Sequence, residues 1–271
     1  MIFMPGRIIA AQRAQGRLDL VFRADGARTR LRRFYQEGCL KARLPRGLGC
    51  EVVALNISGG IAGGDALETA LTLEPGADVV FTTQAAERVY RALEAPARIA
   101  TALRVGQGAR LDYLPQETIL FDGFSLRRNL EIDLAEDAEF LGVESLVFGR
   151  LAMGEHIRAG WLDDRITLRR NGRLLWQDMT RLQGDIATQL DRPGVACSAR
   201  AVASIFAAGP GVTEKLPALR EALAGVTAGA SCFEGMLLAR VLAPDAATLR
   251  RALVKALQML RARDIPRVWQ G

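Results

Sequence analysis

Four glycines in Asn56-Ile-Ser-Gly-Gly-Ile-Ala-Gly-Gly-Asp65 permit positive φ and a close backbone approach, which are the properties of a ligand loop. Phosphate binding does not follow. A Walker loop ends in Gly-Lys-Ser/Thr and opens a helix, whereas this run ends in Asp65 and leads into a strand-like segment. The dinucleotide pattern Gly-x-Gly-x-x-Gly is also absent. Two readings remain: a tight crossing between two strands, or a turn that presents Asp65 and Glu68 to a cavity.

Other catalytic constellations are sparse. His156 is the sole histidine, and no Gly-x-Ser-x-Gly elbow or oriented Cys/His pair accompanies it. Cys39, Cys50, Cys197 and Cys232 never form Cys-x-x-Cys, so they read as free thiols of a reducing cytoplasm. Tight binding of first-row transition metals draws on imidazole and thiolate, and this chain is poor in both; any metal contact is expected to be weak or transient. Asp and Glu are numerous enough that a glycosidase-style carboxylate pair stays open.

The elements that position these residues are mainly strands. Leu18, Leu20 and Phe22 alternate with their neighbours, as do Leu67, Thr69, Leu71 and Leu73, and Leu126, Arg128, Leu130, Ile132 and Leu134. Residues 71–81, 103–113 and 132–142 repeat one design of strand, tight turn, alanine and strand, with Ala77, Ala109 and Ala138 about thirty residues apart. The period predicts a layered or helical β architecture, in which Thr82-Thr83-Gln84, Leu114-Pro115-Gln116-Glu117 and Val143-Glu144-Ser145 occupy the same point of successive units. They would form one ledge of hydroxyl, amide and carboxylate oxygens; the plain alternative is that polar residues mark strand ends.

Helices are predicted in fewer places. Ala86, Val89, Tyr90 and Leu93 suggest one over residues 83–93, stopped by Pro96, and a second is expected over 214–223 from an N-cap near Thr213. The third spans 245–263, where Leu249, Leu253, Ala256, Leu257 and Leu260 form an apolar stripe behind an Asp245 cap. Residues 202–206 and 232–241 are strand-like. No linker divides the chain, so a single domain over 1–271 is expected, β-rich over 16–180 and mixed over 181–271.

With 271 residues, 49% of them hydrophobic, the chain can bury a sizeable core. Its apolar runs fall far short of the ~20 residues that cross a bilayer, and residues 1–11 lack the pattern of a secretory signal. The net charge of +6 comes almost wholly from arginine, since Lys41, Lys215 and Lys255 are the only lysines. Arginine suits carboxylate-bearing partners. Nucleic acid is disfavoured, because acids are interspersed and no basic tract with aromatic platforms occurs.

Four segments, taken in order, resemble one family. Asn56-x-Ser-Gly-Gly-Ile-x-Gly-Gly-Asp65, Thr82-Thr-Gln-Ala-Ala-x-x-Val-Tyr-Arg91, Leu114-Pro-Gln-Glu-Thr-Ile-Leu-Phe121 and Phe148-Gly-Arg-x-Ala-Met-Gly-Glu155 are similar to the successive signatures of the UreD (UreH) urease accessory proteins. Gln36-Glu-Gly-Cys-Leu-Lys41 is similar to an early segment of that family, with Cys39 where proline is usual, and Ile265-Pro-Arg-Val-Trp269 resembles its terminus. The resemblance implies a helical-β scaffold with a few α-helices and no catalysis of its own. It would bind urease apoprotein and UreF, which recruits the nickel-carrying GTPase UreG. It further implies no tightly bound cofactor but nickel in transit through an internal tunnel, with Asp65, Glu68, Thr82, Thr83, Gln84, Glu117, Glu144 and Glu155 as candidate lining. The rival from another class is a carbohydrate-active enzyme on a β-helix, with Asp65, Glu117 and Glu144 as acid/base groups.

Overall fold

A computed structural model describes residues 13–47, 49–150, 153–261 and 263–270; the segment 1–11 read above for a signal, and positions 151 and 152 of the last family-like motif, lie outside them. The chain is mainly β. It opens with β1 (Gln15–Asp25), β2 (Arg28–Gly38), β3 (Leu40–Arg43) and β4 (Cys50–Asn56). Then come β5 (Ala66–Leu73), β6 (Asp78–Thr83), β7 (Glu87–Val89), β8 (Ala97–Val105), β9 (Arg110–Leu114), β10 (Thr118–Leu120), β11 (Phe124–Leu134) and β12 (Glu139–Phe148). A hairpin of β13 (Gly160–Arg170) and β14 (Arg173–Gly184) leads to α1 (Ile186–Asp191), β15 (Ala201–Ala208), α2 (Leu216–Ala222), β16 (Thr227–Phe233), β17 (Met236–Ala243) and α3 (Ala246–Arg261).

The predicted repeat is the organising unit. Each copy sends one strand into a first sheet, turns, and sends the next into a second: β5 to β6, β8 to β9, and β11 to β12. Like strands pair in parallel, so the units stack as rungs of a solenoid. The three alanines sit at the inner side of the turns, where the sheets close on each other, and all are fully buried. Their carbonyls continue the stack: Arg110 N donates to Ala77 O at 2.8 Å and Glu139 N to Ala109 O at 2.9 Å. Antiparallel strands flank the parallel centre, giving the first sheet the order β14-β13-β11-β8-β5-β1-β2 and the second β16-β17-β15-β12-β9-β6-β4-β3.

Three layers result, and strand patterning follows from them. One apolar cluster fills the space between the sheets; the other lies between the second sheet and helices α2 and α3. Strand β12 is covered on both faces and is buried from Phe140 to Phe148, so it loses the alternation of a half-exposed strand and is apolar except at Glu144 and Ser145. The first sheet has one solvent face, hence its clean alternation. That outer face carries much of the charge as ion pairs, among them Arg33–Asp19 and Arg127–Asp163. No helix among the described residues is long and apolar enough to cross a membrane.

Two predicted helices are corrected. Residues 83–93 hold the short strand β7 between turns, not a helix, because neighbouring rungs claim the backbone: Gln84 N donates to Ala54 O, Glu87 N to Glu117 O and Tyr90 N to Ile61 O. The second begins later than expected. Thr213 lies in a 3-10 turn, Val212–Lys215, and the α-helix starts at Leu216 with Pro217 in its first turn, where a missing N–H costs nothing. Likewise the strand-like run 232–241 is a hairpin, reversed at Glu234 and Gly235, both with positive φ.

Helix α3 keeps the place its sequence announced. Asp245 caps it, with its Oδ1 accepting from Thr248 N at 2.7 Å. Mainly through that backbone N–H, the Asp245 pKa is held below the ordinary carboxylate value. The stability it supplies is therefore present above the unfolded carboxylate pKa and lost as pH falls through the depressed one. Asp245→Ala is expected to cost about 1 kcal/mol at neutral pH, with the difference from the parent disappearing in acid. Denaturant melts at the two pH values would check it.

Candidate functional site

The layer between the sheets is not uniformly apolar. Inward positions of successive rungs bring polar side chains to one level: Thr69 pairs in register with Thr101 on the first sheet, and Arg128 with Asp164. Across the gap, Tyr113 and Glu144 project from the second sheet; glycine at 142 stands opposite Tyr113 and Ser204 opposite Glu144. Two cavities open around this level. The first, of about 260 Å³, is bordered by Thr69, Thr83, Thr101, Tyr113, Glu87 and Gln84, and reaches the surface at exposed Gly59, Gln84 and Arg88. The second, of about 290 Å³, is bordered by Asp164, Asp178, Thr180 and Ser204, and reaches the surface at exposed Val195 and Arg240.

Arg128 and Glu144 belong to the walls of both cavities. The guanidinium bridges the two sheets. Its Nε and Nη2 donate to the two oxygens of Asp164 at 2.8 and 2.7 Å, and its Nη1 donates to Glu144 Oε2 at 2.5 Å and to Thr118 Oγ1 at 3.3 Å. All three ionisable side chains are over nine-tenths buried. Burial opposes the charge on Arg128, but Asp164 and Glu144 outweigh it and hold its pKa above the usual value. Glu144 moves upward as well, because burial and the nearby Asp164 exceed the pull of Arg128. Tyr113, raised by burial and by Glu144, stays a neutral hydroxyl that donates to Glu144 Oε1 at 3.3 Å. At the first mouth Glu87 accepts from Asn56 Nδ2 at 3.1 Å, and burial raises its pKa.

Of the eight candidate lining residues, Thr83, Gln84 and Glu144 border these cavities. The rungs do align, since Thr82 pairs with Leu114, but a strand alternates its faces. Thr82 lies on the helix side of the second sheet beside Val80, its Oγ1 donating to Leu114 O at 2.7 Å. Glu117 faces α3, where Arg250 is 3.6 Å away. Glu68 is exposed on the outer side of the first sheet. Asp65 is buried with both oxygens accepting from backbone amides, Ala14 N and Ala62 N, each at 2.8 Å, so it closes the glycine-rich turn. That turn fits the tight-crossing reading: Gly60, at φ 137°, lies where a Cβ would meet the Tyr90 ring. Glu155 pairs with Arg150 at 2.9 Å in an open surface groove, and that hydrogen bond lowers its pKa.

The sequence reading missed the ion pair that joins the two sheets, Arg128 with Asp164, and Glu87 at the first mouth, along with neutral partners such as Tyr113 and Thr118. The signal for Arg128 was visible, since it interrupts the inward series Leu126, Leu130, Ile132 with a charge, as Asp164 interrupts Leu162, Ile166, Leu168. A charge at an inward strand position must be paired or functional. Asp65, Glu117 and Glu144 do not converge, because only Glu144 borders a cavity; the arrangement gives no acid/base pair for a glycosidase. Neither Cys39 nor Cys50 lines either of these two cavities, and burial raises both thiols, Cys50 to about 11. Among the described residues, no three His, Cys, Asp or Glu side chains converge as a metal site.

Comparison with known proteins adds a family to this geometry. The sequence pattern of the UreD urease accessory proteins matches residues 14–270. Among curated relatives, a urease accessory protein UreD of Methylobacterium sp. (strain 4-46) is 45% identical over 269 residues, covering 96% of this chain and 95% of that one. Its counterpart from Chelativorans sp. (strain BNC1) is also 45% identical, covering 95% and 94% of the two chains. That of Rhizobium rhizogenes is 42% identical, covering 95% and 96%.

Proposed function

The chain belongs to the UreD family of urease accessory proteins, and from that membership we propose a cytoplasmic, non-enzymatic scaffold that passes nickel toward urease apoprotein. It assembles with UreF and, through UreF, with the GTPase UreG. The observation that carries the conduit is the pair of cavities in series between the sheets, meeting at Arg128 and Glu144 and opening on different parts of the surface. The oxygens of their lining are hydroxyl, amide and carboxylate, with no thiol or imidazole, and the guanidiniums of Arg88, Arg128 and Arg240 stand among them. Such ligands suit transit: each is favourable enough to enter and weak enough to leave, whereas soft cages retain nickel. In this reading Thr83, Gln84, Glu87 and Glu144 line the route, while Asp65 and Glu117 support it from outside.

The test narrows each cavity separately. Thr83→Trp fills the first and Val202→Trp the second, both from half-buried wall positions. Urease activation is measured in a reconstituted system of urease apoprotein, UreF, UreG, GTP, bicarbonate and nickel, after co-purification shows that the variant still assembles. Each variant is expected to slow activation about tenfold or more. Full activation by assembled Thr83→Trp and Val202→Trp would overturn the conduit.

A further inference from the structure

The geometry points to Arg128 as the gate of this passage: its guanidinium fills the point where the two cavities meet, and it must leave Glu144 and Asp164 before a divalent cation can cross. The inference rests on the conduit reading above and adds how the route is closed.

Three observations carry it. Arg128 and Glu144 are common to both cavity walls, so the bridge between them is the partition. The partition is fastened to both sheets, by two hydrogen bonds to Asp164 on the first and one to Glu144 on the second. And the plug is a permanent cation over nine-tenths buried between the sheets, where it repels another cation more strongly than it would in bulk water. A wall needed only to separate two cavities would be served by leucine, as at the neighbouring inward positions Leu126 and Leu130.

The same carboxylates explain how the gate opens. Two carboxylates around one guanidinium leave the cluster at a net charge of −1; a divalent cation in its place brings it to zero. The displaced guanidinium keeps its charge, which Asp178 in the wall of the second cavity can take up, while Tyr113 and Thr118 supply neutral oxygens beside the incoming cation. The long arginine stem can withdraw into the second cavity, whose volume of about 290 Å³ accommodates it. A monovalent ion gains less from the exchange, so the gate also selects by charge.

The experiment is a nickel titration of the whole isolated chain by calorimetry, with folding checked by circular dichroism. Arg128→Met keeps most of the stem but removes the plug. It should bind one nickel ion per chain at least about tenfold more tightly than the parent, and adding Glu144→Gln should abolish the gain. Arg128→Lys, which retains the charge and so tolerates burial beside the carboxylates, should show a smaller gain because an ammonium cannot grip both partners in a fork. If Arg128→Met fails to fold, the lysine variant decides. Nickel affinity unchanged from the parent in the folded variants overturns the gate, and so does a gain that survives Glu144→Gln. Val202→Trp separates the two ideas: full urease activation by that variant removes the conduit and the gate with it, whereas blocked activation alongside unchanged nickel affinity of the Arg128 variants removes the gate alone.

Discussion

Asp112→Ala should destabilise the protein by about 3–5 kcal/mol, the range for removing one partner of a buried ion pair. Asp112 is 1% exposed on β9, and its Oδ2 accepts from Arg261 Nε at 2.8 Å and from Arg263 Nη2 at 2.8 Å, both at the end of α3. Arg261 is 2% exposed and also donates to the carbonyl of Asp264. Without the carboxylate, Arg261 keeps its burial but loses the charge that justified it. The cost comes from the stranded cation more than from the lost attraction, which yields a second expectation: Asp112→Leu combined with Arg261→Leu should recover much of the loss. Denaturant unfolding of the three variants measures it. Asp112→Ala within about 1 kcal/mol of the parent would mean that Arg261 regains solvent or another partner when the strand lets go.

Leu257→Ala is expected to cost about 2–5 kcal/mol, as buried leucine truncations do when their surroundings collapse only partly. Leu257 is fully buried in the stripe with Leu249, Leu253 and Leu260, which seats α3 against β15 and β17. The exposed Lys255 on the same helix is the control, and its replacement by alanine should stay within about 0.5 kcal/mol. Equal melting temperatures for Leu257→Ala and the parent would detach the helix from the structural role assigned to it. Together the two variants ask whether α3 is held by apolar contact along its length and by ion pairs at its end, as the geometry indicates.

Both features of α3 were unequally legible. The leucine stripe and the Asp245 cap are local properties of sixteen consecutive residues, and a helical period needs nothing beyond them to be read. The partner of Arg261 lies 149 residues away, and no local pattern connects the two. The same division runs through the failed helix at 83–93. Its apolar spacing was genuine, but spacing states only a preference, and the carbonyls of Ala54, Ile61 and Glu117 in neighbouring rungs offered those amides better partners.

What the sequence determined by itself was the solenoid and its family: period-two alternation sets strands, the recurring turn with a buried alanine sets the rung length, and rungs of one design bury their faces only by stacking. Four ordered motifs were enough to place the chain among its relatives. What only tertiary structure decided was where the ledge residues point and which charges meet. Strand alternation sends Thr82 to the helix layer and leaves Thr83 at a cavity, although the two are adjacent. Asp65, conspicuous beside its glycines, spends both oxygens on backbone amides. Arg128, unremarked among leucines, faces Asp164 from the adjacent strand and Glu144 from across the gap, because parallel register and sheet spacing, neither of them written in any single segment, bring the three together.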